Sequence, residues 1–170
     1  MSEESSHRTR TVTWEDPGVS ARDSAGISGF NYLEALRTGT IKPPPAALLI
    51  GYRVVKVDIG RTVFELEPAE YHYNPFASVH GGIASTLLDS AMTSAVLSTL
   101  PIGLACSTIE MKVNFVRPIT SRTGLLRCEA KTVHVGGRIA TAEGKVMDRQ
   151  NKLYAHGVNT CAIFKVPHRT

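Results

Sequence analysis

The chain has 170 residues, a net charge of +4, an apolar share of 42% and a charged share of 20%. This suits one domain able to bury roughly 70% of its unfolded surface. No Lys/Arg cluster reaches the density of a nucleic-acid patch, and no run of about 18 apolar residues predicts a membrane span. Val79 to Leu100 comes closest to one, but Asp89 and several Ser and Thr residues interrupt it. The start Met-Ser-Glu-Glu-Ser-Ser lacks the basic and apolar parts of a secretion signal. The three cysteines, Cys106, Cys128 and Cys161, lack metal-ligand spacing and read as buried reduced thiols. A cytoplasmic location follows as the expectation.

In chain order, residues 1–25 are polar and aperiodic and read as a flexible tail, with Trp14 as a residue able to dock. Ser28 is placed to cap a short helix carrying Phe30, Leu33 and Leu36 on one face, with Gly39 ending it. Pro43-Pro44-Pro45 reads as a stiff extended link, so residues 26–45 lead into a domain over 46–166. Leu48 to Val57 and Arg61 to Glu67 predict a β-hairpin turning at Asp58-Ile59-Gly60. Tyr71 and Tyr73 fall in a short extended segment. Gly82 to about Thr99 predicts a helix stopped by Pro101, apolar or small on nearly every side and therefore buried.

Four strands are predicted after it: Thr108 to Arg117, Leu125 to Val135, Arg138 to Asp148 and Lys152 to Phe164. In the first, Ile109, Met111, Val113 and Phe115 alternate with Glu110, Lys112 and Asn114. Long antiparallel strands with polar outer positions imply one curled sheet with one wet face. Its inner face must cover an apolar layer, and the buried helix is the partner available. The class is α+β.

The chemistry concentrates in Asn74 to Asp89. A loop carrying an amide side chain ends in His80-Gly81-Gly82, where the glycines permit a sharp turn into the helix. A helix start offers unpaired N–H donors that can hold a carbonyl oxygen turning negative during acyl transfer. Asp89 can supply a base or a nucleophile. Gly81 and Asp89 are eight residues apart, hence separated by about 12 Å along a helix axis and rotated by about 80°. One small carbonyl cannot touch both on the same helix. Either the two are unrelated, or a second copy of the chain completes a shared site.

In these residues the chain resembles the hotdog-fold acyl-CoA thioesterases of the phenylacetyl-CoA thioesterase type. The likeness rests on Asn74, on His80-Gly81-Gly82 six residues later, on Asp89, and on the strand Ser107 to Pro118. It spans roughly residues 46–164. The resemblance implies a hotdog fold, a curved sheet wrapped around one long helix. It implies hydrolysis of an acyl-CoA by a homodimer with shared sites, and leaves pairing of dimers into tetramers open. It further implies that the Gly81 N–H polarises the thioester carbonyl, that Asn74 positions carbonyl or water, and that Asp89 of the partner subunit is base or nucleophile. Thr108 matches a position where a hydroxyl assists the water; a one-residue slip would put Ser107 there instead. The loop Gly136-Gly137-Arg138 matches the one that holds the nucleotide end of CoA, with a single basic residue where many relatives carry two. No metal or cofactor is expected.

Each residue also has a plainer reading. Asn74-Pro75 is a common turn pair. His80 can serve only to fix its loop, and Gly-Gly at 136 and 137 suits a two-residue hairpin turn. Asp89 can be a carboxylate bonded to neighbouring backbone or Ser groups, although burying it demands a reason. Two other functions compete: an acyl-thioester dehydratase on the same fold, and a non-catalytic acyl-CoA sensor. The dehydratase loop pattern is absent, and residues 1–45 contain no helix-turn-helix to give a sensor an output.

Overall fold

The structure is a computed structural model and describes residues 7–19 and 26–166. Helix α1 (Gly29–Thr38) starts where the Ser28 side chain accepts the Asn31 N–H and ends at Gly39, whose φ of 79° reverses the chain. Leu33 of this helix is buried in the main core. Helix α2 (Pro45–Ile50) corrects the expected strand start at Leu48 and the extended reading of Pro45. Proline at the first helical position loses no hydrogen bond there, and the Ala-Ala-Leu-Leu that follows favours helix. Gly51, at φ 90°, ends this turn, so strand β1 begins only at Tyr52.

Six antiparallel strands form one sheet: β1 (Tyr52–Asp58), β2 (Arg61–Leu66), β3 (Leu104–Phe115), β4 (Leu126–Val135), β5 (Ile139–Met147) and β6 (Leu153–Lys165). Their spatial order is β1-β2-β4-β5-β6-β3. The sheet curves around helix α3 (Gly81–Leu97), as the hotdog arrangement requires. Leu87, Leu88, Ala91, Met92, Ala95 and Val96 of α3 are fully buried, facing Leu126, Cys128, Ala140, Ala142 and Val146 of the sheet. Burying one such Leu or Val side chain contributes about 1.5–3 kcal/mol, so this layer is the main source of stability.

The alternation expected in β4 and β5 is present, with Leu126, Cys128, Ala130, Ala140, Ala142 and Val146 buried. In β3 it fails at one place. The register with β6 shifts between Thr108 and Glu110, leaving Ile109 as the extra residue and 61% exposed. A bulge of this kind reverses the facing of everything on one side of it relative to a regular strand. Thr108 therefore shares the inner face with Met111 and Val113, and Ser107 faces out. Residues Glu70–His72 form a 3₁₀ turn instead of an extended segment, and only Tyr73 is extended, bridging to Val79.

The expected tail falls partly outside the described residues, at 1–6 and 20–25. Arg8 pairs with Glu70 at 2.8 Å, and the Arg10 guanidinium lies 4.0 Å above the Tyr71 ring while donating to the Leu48 and Leu49 carbonyls at the end of α2. Trp14 is exposed. No helix among the described residues is long and apolar enough to cross a membrane.

Candidate active site

The loop before α3 is built by its own side chains. The Asn74 Oδ1 accepts from the Phe76 N–H at 2.9 Å and from the N–H and hydroxyl of Ser78, each at 3.3 Å. Its backbone closes the same loop through Asn74 N–H to Ser78 O. The turn reading of Asn74 thus holds for its oxygen, while its Nδ2 has no acceptor among the described residues and remains able to donate outward. His80 is the residue before α3. Its N–H donates to the His72 carbonyl at 2.8 Å, and its Nδ1 accepts the Gly82 N–H at 2.9 Å, which leaves the ring proton on Nε2. A Cβ on Gly82 would lie 2.9 Å from that Nδ1, so glycine is what lets the imidazole cap the helix.

Capping consumes the Gly82 N–H, and Ile83 donates to the His80 carbonyl. The Gly81 N–H alone of these three has no acceptor among the described residues. It points out of the positive end of a seventeen-residue helix. The Phe115 ring stands beside it, 3.1 Å from where a Gly81 Cβ would be.

Two turns further along, half-buried Asp89 faces β3 and β6. The Thr108 hydroxyl donates to Asp89 Oδ1 at 2.6 Å. The Thr93 hydroxyl lies 2.7 Å from Thr108 Oγ1 and 3.4 Å from the same carboxylate oxygen. Asp89 Oδ2 has no hydrogen-bond partner among the described residues. The bulge at Ile109 is what turns Thr108 toward the helix, and it selects Thr108 over Ser107 for this contact.

Behind the hydroxyls lie residues that the sequence reading passed over. Asn159 of β6 is buried, and its Nδ2 donates to Thr93 Oγ1 at 3.2 Å and to the Cys161 sulfur at 3.4 Å. Its Oδ1 is buried with no partner, a placement that costs about 1–3 kcal/mol. The signal was available: Asn159 is the polar residue in the inward series Ala155, Gly157, Asn159, Cys161. Thr93 lies one helical turn beyond Asp89, on the same face. Cys106 donates to the Thr93 carbonyl at 3.7 Å, and the Cys161 thiol is drawn below its ordinary value by the neighbouring Cys106 and, against the effect of burial, by the Thr93 and Thr108 hydroxyls, each 3.9 Å away. Cys106 is pushed up by the neighbouring Cys161 and by burial. Tyr52 of β1 also approaches, its phenol raised by burial and, more weakly, by the Asp89 charge.

The loop 136–138 is remote from these groups in sequence and joins β4 to β5. It is not a Gly136-Gly137 hairpin turn of the primed type. Val135 pairs with Ala140, the Gly136 N–H donates to Ile139 O at 2.9 Å, and neither glycine takes the left-handed φ that such a turn needs. The N–H groups of Gly137 and Arg138 have no acceptor among the described residues, and both residues are exposed. The outer face of the sheet carries a separate open concavity of about 410 Å³, lined by Lys56, Arg61, Arg127, Lys131 and Glu143 among others, which shares no residue with the helix mouth or Asp89.

The sequence profile of the thioesterase superfamily matches residues 76–155, the stretch from the capping loop through the first residues of β6. Over those residues, just under half of the chain, it resembles the thioesterase superfamily. The chain is a thioester hydrolase. It is 27% identical over 116 residues to the 1,4-dihydroxy-2-naphthoyl-CoA hydrolase of Listeria monocytogenes, a match covering 68% of this chain and 93% of that one. Among solved structures, it is similar to the phenylacetic acid degradation-related protein of Ralstonia eutropha JMP134, at 28% identity and a TM-score of 0.70, covering 78% of this chain and 99% of that one. The PaaI protein of the Escherichia coli phenylacetic acid degradation operon shares the fold, with a TM-score of 0.69 at 21% identity, over 82% and 97% of the two chains. These likenesses agree with the curved six-stranded sheet and long helix of this chain.

Proposed function

We propose that the chain hydrolyses an acyl-CoA thioester to the free acid and CoA, in sites shared between two subunits. The observation that carries this reading is the unspent Gly81 N–H at the mouth of α3, paired with a carboxylate two turns deeper on the same helix. In the proposed site the Gly81 N–H binds the thioester oxygen, and its hydrogen bond strengthens as that oxygen becomes an oxyanion. The Asn74 Nδ2 supplies a second outward donor for carbonyl or water. His80 keeps Gly81 free by occupying the neighbouring donor. Asp89 of the partner subunit presents Oδ2 to the reacting carbon, directly or through a water, while Thr108 holds Oδ1.

The free edge of β3 supports the shared site. Among the described residues β3 bonds only to β6, and its other side leaves unpaired N–H and C=O groups beside exposed Ile109 and Phe115. Such an edge is a template for pairing with another chain. The CoA assignment is supported by the Listeria relative, a hydrolase of a naphthoyl-CoA. The free N–H groups of Gly137 and Arg138, beside the Arg138 guanidinium, suit the phosphates of CoA.

Two experiments test this. Asp89→Asn is expected to lower kcat by roughly 10²-fold or more, on the scale of acid–base contributions, with unchanged folding. Near-normal thiol release in that variant would end the assignment. Chains carrying Asn74→Ala, mixed with chains carrying Asp89→Ala under subunit exchange, are expected to regain activity, because each heterodimer restores one intact site. Absence of recovery after demonstrated exchange places both residues within one subunit or in separate roles.

A further inference from the structure

The buried amide of Asn159 has no part in the mechanism above, yet it occupies a costly position. Its partners give it a direction. Each threonine hydroxyl has one proton. The Thr108 proton is committed to Asp89 Oδ1 at 2.6 Å. The 2.7 Å contact between Thr108 and Thr93 must therefore use the Thr93 proton. The Thr93 oxygen is then free to accept, and what it accepts is the Asn159 amide N–H at 3.2 Å. An amide nitrogen only donates, and an ionised carboxylate only accepts. The sequence of donors runs one way, from Asn159 through Thr93 and Thr108 to Asp89, across β6, α3 and β3.

From this geometry we infer that Asn159 is a positioning residue for Asp89, acting through Thr93 and Thr108. It fixes the Thr93 proton on Thr108 Oγ1 and thereby the Thr108 proton on Asp89 Oδ1, so that this oxygen is held and Oδ2 is the one presented for reaction. Without the amide, the Thr93 proton has no fixed direction, and Thr108 can turn to Thr93 and leave Asp89 loose. Asn159 is 3% exposed and lies behind the hydroxyls, so it does not touch substrate. Its orphaned Oδ1 marks the difference between a residue kept for stability and one kept for orientation. A leucine, which has the same branched outline and number of heavy atoms, removes an unsatisfied acceptor from the core. The inference rests on the Asp89 reading proposed above.

The test measures acyl-CoA hydrolysis and thermal melting for Asn159→Leu, Thr93→Val and the double variant, with Asp89→Asn alongside. Asn159→Leu is expected to lose about tenfold in kcat, the scale of one hydrogen bond serving a charged group, with KM nearly unchanged. Its melting temperature is expected to equal or exceed that of the parent. Added to Thr93→Val, it is expected to cost little more, because both act along one path. A normal kcat for Asn159→Leu, a kcat loss matched by a fall in melting temperature, failure to fold, or fully additive losses with Thr93→Val would each overturn the inference. If Asp89→Asn is inactive while Asn159→Leu is normal, only this inference fails. If Asp89→Asn is itself near normal, the reading beneath it fails.

Discussion

Helix α3 has two flanks of opposite character. Toward β2, β4 and β5 it presents Leu87, Leu88, Ala91 and Ala95 to Leu126, Cys128, Ala140 and Ala142. The polar groups on that side are closed locally: the Thr62 hydroxyl donates to the Ala91 carbonyl, and Ser98 bonds both the Gly60 N–H and the Ala95 carbonyl, each at 2.8 Å. Toward β3 and β6 it presents Asp89 and Thr93 to Thr108, Asn159 and Cys161. There the hydrogen bonds lead to Asp89 Oδ1, the other carboxylate oxygen has no partner among the described residues, and the buried amide oxygen of Asn159 is left unpaired. The first flank satisfies every requirement of a core. The second departs from them in the way expected where groups are held for chemistry at some cost in stability.

Substitutions on the two flanks should separate along that line. On the apolar side, Leu126→Ala leaves a cavity under α3 and should cost about 2–5 kcal/mol of stability, with the turnover of the folded protein near wild type. Denaturant unfolding alongside a thiol-release assay checks both parts, and a collapse of turnover with little destabilisation would erase the distinction between the flanks. On the polar side, Thr108→Val should lower kcat roughly tenfold while moving the unfolding midpoint little, because one hydrogen bond to a charged group is lost and its shape is kept. A large loss of stability there would make Thr108 a core residue first.

The smallest effect concerns the loop that holds the helix mouth. His72 is buried, and burial keeps its imidazole below the ordinary value, opposed in part by its bond to the Ile50 carbonyl. The fold thus favours neutral His72. Its contribution is complete above the unfolded value of about 6.5 and is lost as pH falls through the lower folded value. Melting temperature should decline from pH 7 to pH 5, and His72→Gln should flatten part of that decline. Parallel profiles for parent and variant would show that His72 takes no part in the acid loss.

Much of this was legible in the chain. The period-two alternation of β4 and β5, the uniformly apolar α3, the Ser28 and Gly39 ends of α1 and the glycines that open α3 are each encoded within a few residues. The helix at Pro45–Ile50 was missed because a short apolar run after proline satisfies strand and helix equally. The Ile109 bulge was missed because a regular alternation of Ile109, Met111 and Val113 gives no hint of an extra residue. Asn159 stood in a visible inward series, but its meaning depended on what lay opposite.

The amino-acid order by itself determined most of the elements, the family that the loop and helix mouth resemble, and the separation along one helix of the two residues that the proposed shared site brings together. The elements and that separation follow from helix rise, strand period and the backbone freedom of glycine, all short-range properties. Only the tertiary structure decided that Thr108 and not Ser107 meets Asp89, that His80 spends its imidazole on capping, and that Asn159 and Thr93 stand behind the carboxylate. These depend on register between β3, β6 and α3, segments up to 70 residues apart. A one-residue bulge there exchanges inside for outside, and local sequence does not carry that information.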